Sequence, residues 1–297
     1  MPTYVTAHTV EQAVAALAGG ARPIAGGTDL VVGGRQGKKP LPESLVGIHR
    51  VAGLGSIEET TESLILGALV THAAIAANDL IRARYTGIAD ASALVGSHAT
   101  RANGTIGGNV MNASPAMDTG APLLCLGARA ELVGPGGARS LDLAKLWTGP
   151  GTNSARPDEL LVSIHIPIPA AGTGSSYVRL QYRRQMEIAV VGAGVSLTLR
   201  DGMVTHAAVA IAALAPTIHR VAEAEAALVG TDGSPDAVKA AANAAAAAAR
   251  PIDDVRASAD YRRAMAAVIT RRAIQAAVAR AQGETVAVPA SESTYGR

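Results

Sequence analysis

Thr105-Ile106-Gly107-Gly108-Asn109, running on through Asn112-Ala113-Ser114-Pro115 to Asp118, is the stretch on which the reading of this chain turns. It answers an earlier one, Pro23-Ile24-Ala25-Gly26-Gly27-Thr28-Asp29-Leu30. Each joins a short apolar run to a Gly-Gly step and then to a polar residue. Two glycines in succession permit φ > 0 and let consecutive backbone N–H groups converge on one point. Such a concavity holds an anion, and two of them face to face would suit a diphosphate. Neither stretch has the lysine of a P-loop or the third glycine of GxGxxG. Holding the anion therefore falls to backbone N–H groups and to the hydroxyls of Thr28 and Thr105. An ionised Asp29 would repel it, so Asp29 is expected to serve its own helix start or a neighbouring hydroxyl. In a chain with 32 glycines, the Gly-Gly step alone is a weak signal.

Composition narrows the class. With 297 residues, 48% hydrophobic and 17% charged, the chain is globular and long enough for two or three substructures. Aromatic residues make up only 2%, with no Phe and one Trp, so the cores must be filled by Ala, Val, Leu and Ile. The same shortage removes the stacking platforms of single-strand nucleic-acid binding. The net charge of +2 is interspersed, and the basic pair Lys38-Lys39 reads as a solvated loop; no nucleic-acid partner is expected. One cysteine, Cys125, lies in the apolar run Pro122-Leu123-Leu124-Cys125-Leu126 and reads as a buried, inert thiol. It cannot supply the four thiolates of an iron–sulfur cluster, and no metal site is expected in this chain. There is no signal-peptide pattern, and the apolar runs 188–199 and 207–215 are too short for a bilayer. The expectation is a cytoplasmic protein without a transmembrane segment.

The N-terminus is expected to enter a helix at once, with Thr9 capping, Gln12 reaching back, and Val10, Val14 and Leu17 on the apolar face. A strand over 22–25, a helix turn over 28–32 and a strand over 45–48 complete a small βαββ unit. A strand over 63–70 and a helix over 71–97 follow, capped by Thr71 and broken near Gly87. His72, in its first turn, reads as a cap or packing residue. Ser114-Pro115 opens a further helix, and strands over 128–133 and 160–166 with a short helix over 141–147 complete a larger α/β unit. The Gly/Ser-rich segment 170–176, after Pro167 and Pro169, marks the main boundary. Beyond it, 178–182, 189–199 and 204–213 read as an antiparallel three-stranded sheet. Helices over 218–229, 235–249 and 258–281 form a C-terminal bundle, and the chain frays after Gln282. Val191-Gly192-Ala193-Gly194 leads into a turn rather than a helix and is not a dinucleotide fingerprint. The class is α+β, divided at 1–55, 56–172 and 173–285, with a flexible tail over 286–297.

Taken together, AGGTDL at 25–30 and TIGGN-x-x-NASPAxD at 105–118 resemble the FAD-binding medium subunits of the molybdenum hydroxylases. That family includes carbon monoxide dehydrogenase, xanthine dehydrogenase and related N-heterocycle hydroxylases. The resemblance runs from about residue 3 to about residue 282. It implies that 1–172 is a two-part FAD-binding domain, and that the chain is a subunit of an oxidoreductase with no catalytic residue of its own. Substrate would be oxidised at a molybdenum cofactor on a large subunit, and electrons would pass through [2Fe–2S] clusters on a small subunit. They would reach FAD in this chain and leave to NAD, a quinone or oxygen. The assembly implied is a dimer of heterotrimers.

For the site, the resemblance implies the run Pro23–Leu30 and the turn Thr105–Asn109. Gly26, Gly27, Thr28, Gly107 and Gly108 suit the diphosphate, and Ile106 is counted with them among the cofactor-binding residues. Asn109 offers an amide that donates and accepts. Asp118 offers an acceptor for a cofactor hydroxyl; the alternative from the residue alone is a carboxylate in the first turn of a helix. Leu161 matches an apolar contact, Val95 a position where some relatives have an aromatic, and Arg179 one where many have Lys. Ile188 fills a place that in carbon monoxide dehydrogenase relatives is often a Tyr over the flavin; an aliphatic cannot stack there. That departure favours the heterocycle-hydroxylating relatives. Two other readings stay open. One is an autonomous flavin oxidoreductase, against which stand the lack of a substrate-binding Tyr/Arg cluster and of a His placed for covalent flavin. The other is a flavin-free scaffold, which the intact Thr105–Asn109 and Asp118 set disfavours.

Overall fold

The computed structural model describes residues 3–37 and 40–291. Lys38-Lys39 and the last six residues of the tail lie outside the described residues. The chain forms three units in sequence order.

The first is a three-stranded parallel sheet with Ser44–Gly47 between Thr3–Thr6 and Arg22–Ile24. The N-terminus therefore begins with a strand and not a helix. Thr-Tyr-Val-Thr is a run of β-branched and aromatic residues that favours the extended chain. The helix Val10–Ala18 follows, with Thr9 Oγ1 accepting the Gln12 N–H at 3.2 Å and Gln12 Oε1 accepting the His8 N–H at 2.8 Å. The second short helix, Leu30–Arg35, begins after Asp29, whose side chain makes no capping bond there.

The second unit is built on a five-stranded antiparallel sheet. Leu160–Pro167 lies at its centre, between Ser63–Gly67 and Arg129–Gly134. Ile164 and Ile166 meet Leu64, Leu66 and Leu132 in a core covered by helices. The expected long helix over 71–97 is three: His72–Ala77, Asp79–Arg84 and Thr86–Leu94. Asn78, extended at φ −75°, ψ 121°, ends the first and caps the second by accepting the Ile81 N–H at 3.0 Å. Thr71 caps the first through the Ala74 N–H. Ser114-Pro115 does not open a helix. Ala113, at φ 50°, closes the helix Ile106–Asn112, and the chain turns before Gly120–Cys125 begins.

Among the described residues the third unit has four strands, not the expected three. Thr173–Leu180, Val191–Arg200 and Met203–Ala212 form the expected antiparallel meander, and the short His219–Arg220 adds a strand at one side. Thr173–Leu180 is the other edge. Pro235–Ala248 and Ala259–Ala281 cover the sheet, and the hydrophobic core between them is built from Ala, Val, Leu and Ile. The end of the chain is not frayed as far as it is described. Ala290 and Ser291 are buried, and the Ala290 N–H donates to Asp90 Oδ1 at 2.9 Å.

Candidate cofactor site

Where the three units meet, the two Gly-Gly stretches lie close together and play different roles. At the first, the strand Arg22–Ile24 runs out into a turn with Gly27 at φ +69°, a conformation glycine adopts without strain. A Cβ on Gly26 would fall on the Asn103 carbonyl, so the two loops touch backbone to backbone. The N–H groups of Gly26, Gly27 and Thr28 find no acceptor among the described residues. This loop is a cluster of donors without an acceptor among the described residues.

The second stretch is not. Gly107 and Gly108 lie in the first turn of the helix Ile106–Asn112, with no left-handed residue between Thr105 and Asn112. The N–H groups that would form a concavity are already used. Ile106 donates to Val70 O at 2.9 Å, Gly107 to Ala68 O at 3.0 Å, Gly108 to the capping Thr105 Oγ1 at 3.1 Å, and Asn109 to Thr105 O at 3.0 Å. Gly107 is needed for packing, because a Cβ there would stand 2.6–2.9 Å from the Ala68 backbone and side chain. Gly108 instead leaves a bare, exposed patch of helix. Two facing nests are thus replaced by one nest and one smooth helix face.

Asp118 is also placed differently from expectation. It is buried, and its Oδ1 accepts the Tyr177 hydroxyl at 2.9 Å while its Oδ2 accepts Arg179 Nη1 at 2.7 Å. Both oxygens therefore have protein partners before any cofactor hydroxyl is considered. Burial pushes the Asp118 carboxyl up, against the pull of Arg179 and the Tyr177 hydroxyl. Burial also works against the Arg179 charge, but Asp118, Tyr177 and Glu187 outweigh it and hold the guanidinium above its ordinary range. Arg179 Nε further donates to Gln181 Oε1 at 2.8 Å.

Arg101 belongs to the same place. Burial and the nearby Arg179 lower it, and its Nη1 donates to the Val95 carbonyl at 3.0 Å. His72 is buried beside Gly104, whose carbonyl accepts its N–H at 3.0 Å. Thr28 Oγ1 lies on the same side of Gly104. Burial, then the Arg101 charge, lower the His72 imidazole to about 4, and its Nδ1 has no partner among the described residues. A wall is added by the loop between Thr173–Leu180 and Val191–Arg200. Met186, at φ 54°, donates its N–H to Gly96 O at 3.0 Å, and Arg179 Nη1 reaches the Glu187 carbonyl at 3.3 Å.

The other expected positions divide. Val95 is half-buried at the end of Thr86–Leu94, and Ile188 is 47% exposed on that loop. Asn109 Oδ1 accepts the Thr119 hydroxyl at 2.5 Å, and its amide N–H₂ has no acceptor among the described residues. Leu161 sits at a strand irregularity within the central core and is 3% exposed. Cys125 is buried with its thiol donating to Gly194 O, and burial pushes its pKa well up, as its apolar run implied. Arg101 and Tyr177 escaped the sequence reading. Nothing in the local pattern marks Tyr177, whereas Arg101 lies just before the second Gly-Gly and could have been weighed as a cation there.

A left-handed turn with three donors that find no acceptor among the described residues lies near Arg101 and the neutral His72 imidazole, an arrangement that suits an anion. Comparison with known proteins makes the class explicit. A family model described as the FAD binding domain in molybdopterin dehydrogenase matches residues 1–169, and one described as the CO dehydrogenase flavoprotein C-terminal domain matches 176–277. The carbon monoxide dehydrogenase medium chain of Afipia carboxidovorans is 36% identical over 88% of this chain and 90% of its own length. The 6-hydroxypseudooxynicotine dehydrogenase complex subunit alpha of Paenarthrobacter nicotinovorans is 31% identical over 94% of this chain and 95% of its own. A chain of carbon monoxide dehydrogenase from Hydrogenophaga pseudoflava superposes with a TM-score of 0.90 at 33% identity, covering 94% of this chain and 98% of that one. The protein belongs to the FAD-binding medium subunits of the molybdenum hydroxylases, and so to an oxidoreductase family.

Proposed function

We propose that this chain is the electron-transfer subunit of a molybdenum hydroxylase, carrying electrons from [2Fe–2S] clusters of a small partner subunit through FAD to an external acceptor. The observation that carries the cofactor half is the set of free N–H groups at Gly26, Gly27 and Thr28. A diphosphate needs donors with no other partner, and this loop offers three, with Arg101 and Arg179 nearby to favour negative charge.

The run Pro23–Leu30 would hold the diphosphate, and the exposed helix face at Gly108 would let the cofactor approach. Asn109, with its free amide, suits a hydroxyl or carbonyl of the cofactor. Val95 and Ile188 would border the ring, and the Arg179–Asp118 pair would set the charge beside it. Bound FAD supplies the ability to accept electrons singly and release them as a pair. The protein's role is to bind, orient and shield. No side chain of this cleft is assigned a proton transfer in substrate oxidation.

The donor half follows from what the sequence lacks. One buried cysteine cannot ligate a cluster, and the donor in this reading is a cluster held by another polypeptide. The partners are a small [2Fe–2S] subunit and a large molybdenum-cofactor subunit, two heterotrimers pairing about a two-fold axis. Among the described residues no helix is long and apolar enough to cross a membrane; we place the complex in the cytoplasm.

The test is reconstitution. The isolated chain should bind FAD yet leave it oxidised with carbon monoxide, xanthine-like purines or nicotinate-like rings. Adding the other two subunits should bring reduction by one of them. Bleaching of the flavin by substrate in the isolated chain would instead establish an autonomous oxidoreductase.

A further inference from the structure

Thr173–Leu180 is an edge strand, yet its outer side is not open. Three side chains and the end of the chain fill it. The Ser175 carbonyl accepts Thr86 Oγ1 at 2.6 Å and Arg280 Nη1 at 2.8 Å. The Tyr177 N–H donates to Asp90 Oδ2 at 3.0 Å, and the Arg179 N–H donates to Ser291 Oγ at 3.2 Å. Asp90 is fully buried. It also binds Arg280 through both oxygens, at 2.6 and 2.9 Å, and accepts the Ala290 N–H. Arg280 Nη2 in turn holds the Ala287 carbonyl at 2.9 Å. The segment 287–291 is therefore fastened along this edge at both its ends.

Tyr177 and Arg179 are two apart on a strand, so their side chains share a face, and both reach Asp118. Their N–H groups both point out of the sheet, where no neighbouring strand can fix them. The two residues that hold the Asp118 carboxylate are thus the two whose backbone depends on Asp90 and Ser291.

We propose that Ser291, with Asp90 behind it, is a positioning residue of the cofactor site: by fixing the outward N–H groups at 177 and 179 it sets where the Arg179 guanidinium stands. This rests on the FAD reading given above. Ser291 holds the Arg179 N–H and Asp90 holds the Tyr177 N–H, so the effect of Ser291 on cofactor would be carried by Arg179.

Flavin titration of the purified full-length chain tests it, using Ser291→Ala, Ser291→Thr, Arg179→Met and the Ser291→Ala/Arg179→Met double variant. Ser291→Ala removes one acceptor and should weaken FAD by about two- to tenfold, while Ser291→Thr, which keeps the hydroxyl, should stay within about twofold of wild type. In the Arg179→Met background the Ser291→Ala change should add nothing further, the non-additivity expected of residues acting through one another. An unchanged FAD affinity in Ser291→Ala, or an equal fall whether or not Arg179 is present, would overturn the proposal and leave Ser291 a purely structural residue. A wild-type chain that takes up no FAD would overturn the cofactor reading itself, which is a separate outcome.

Discussion

Asp118 and Arg179 stand 2.7 Å apart, one from the second unit and one from the third, with 8% and 0% of their side chains exposed. The contact joins the two units through a buried ion pair.

Removing either partner leaves a buried charge without its counter-charge, which costs about 3–5 kcal/mol. Asp118→Ala and Arg179→Met are therefore each expected to lower the urea midpoint of the cofactor-free chain, in addition to weakening FAD. Were Asp118 only an acceptor for a cofactor hydroxyl, unfolding without FAD would be unaffected. Urea titrations without flavin separate the two.

The four glycines of the paired stretches should respond differently. Gly107→Ala drives a methyl group into Ala68 and is expected to lower the melting temperature whether or not flavin is present. Gly108→Ala adds a methyl to an exposed helix position but sets it 3.1 Å from the capping Thr105 Oγ1, so the gain in helix propensity is offset and melting should change little. If the cofactor approaches over that turn, it will nevertheless bind FAD more weakly. Gly26→Ala must push its loop off the Asn103 backbone and should lose FAD, while Gly27→Ala strains a left-handed residue by about 1–2 kcal/mol. Melting curves paired with flavin titrations give each variant its own signature.

Much of this was readable in the sequence, and the failures share a cause. Thr9, Thr71 and the alternation of Leu160–Pro167 announce their elements because caps and alternation are local. The Gly-Gly at 107–108 misleads because a glycine pair permits an anion nest without showing whether its N–H groups are already bound. Thr105 carried the missing hint: a threonine three residues before Gly108 is an N-cap, and capped N–H groups cannot also cradle a phosphate. The Asp118–Arg179 and Asp90–Arg280 pairs were out of reach, since each joins residues far apart in sequence and only the packed chain brings them together. The segment 287–291 looked like a loose end for the same reason. Its anchors lie on distant elements.

His72 predicts an acid limb in stability. Its imidazole titrates at about 4 when folded, against 6.5 for the ordinary side chain. Between those values the unfolded chain binds a proton that the folded chain refuses, so stability is fully present above about pH 6.5 and falls as pH drops toward about 4. The slope is about 1.4 kcal/mol per pH unit, roughly 3 kcal/mol in all. His72→Gln should flatten it, as urea midpoints at pH 7 and pH 4.5 will show. An equal acid loss in variant and wild type would assign the limb to other groups.

Ile188 offers a gain rather than a loss. It is nearly half exposed, so Ile188→Tyr should change folding stability by no more than about 0.5 kcal/mol. A ring at that position can stack on the flavin, worth about 0.5–1.5 kcal/mol. Tighter FAD binding with quenched flavin fluorescence is expected, and unchanged values of both would remove Ile188 from the border of the ring.

The fastening of 287–291 along Thr173–Leu180 has a meaning for how copies of the chain behave toward one another. A strand edge with unfilled N–H and C=O groups is a template on which another molecule's strand can pair. Here the filler is the segment 287–291, held through Asp90 and Arg280 and through Ser291 on the Arg179 N–H. A chain shortened after Gln282 would keep its sheets and helices but offer the Arg179 edge to its neighbours, and would leave solution by growing strand upon strand.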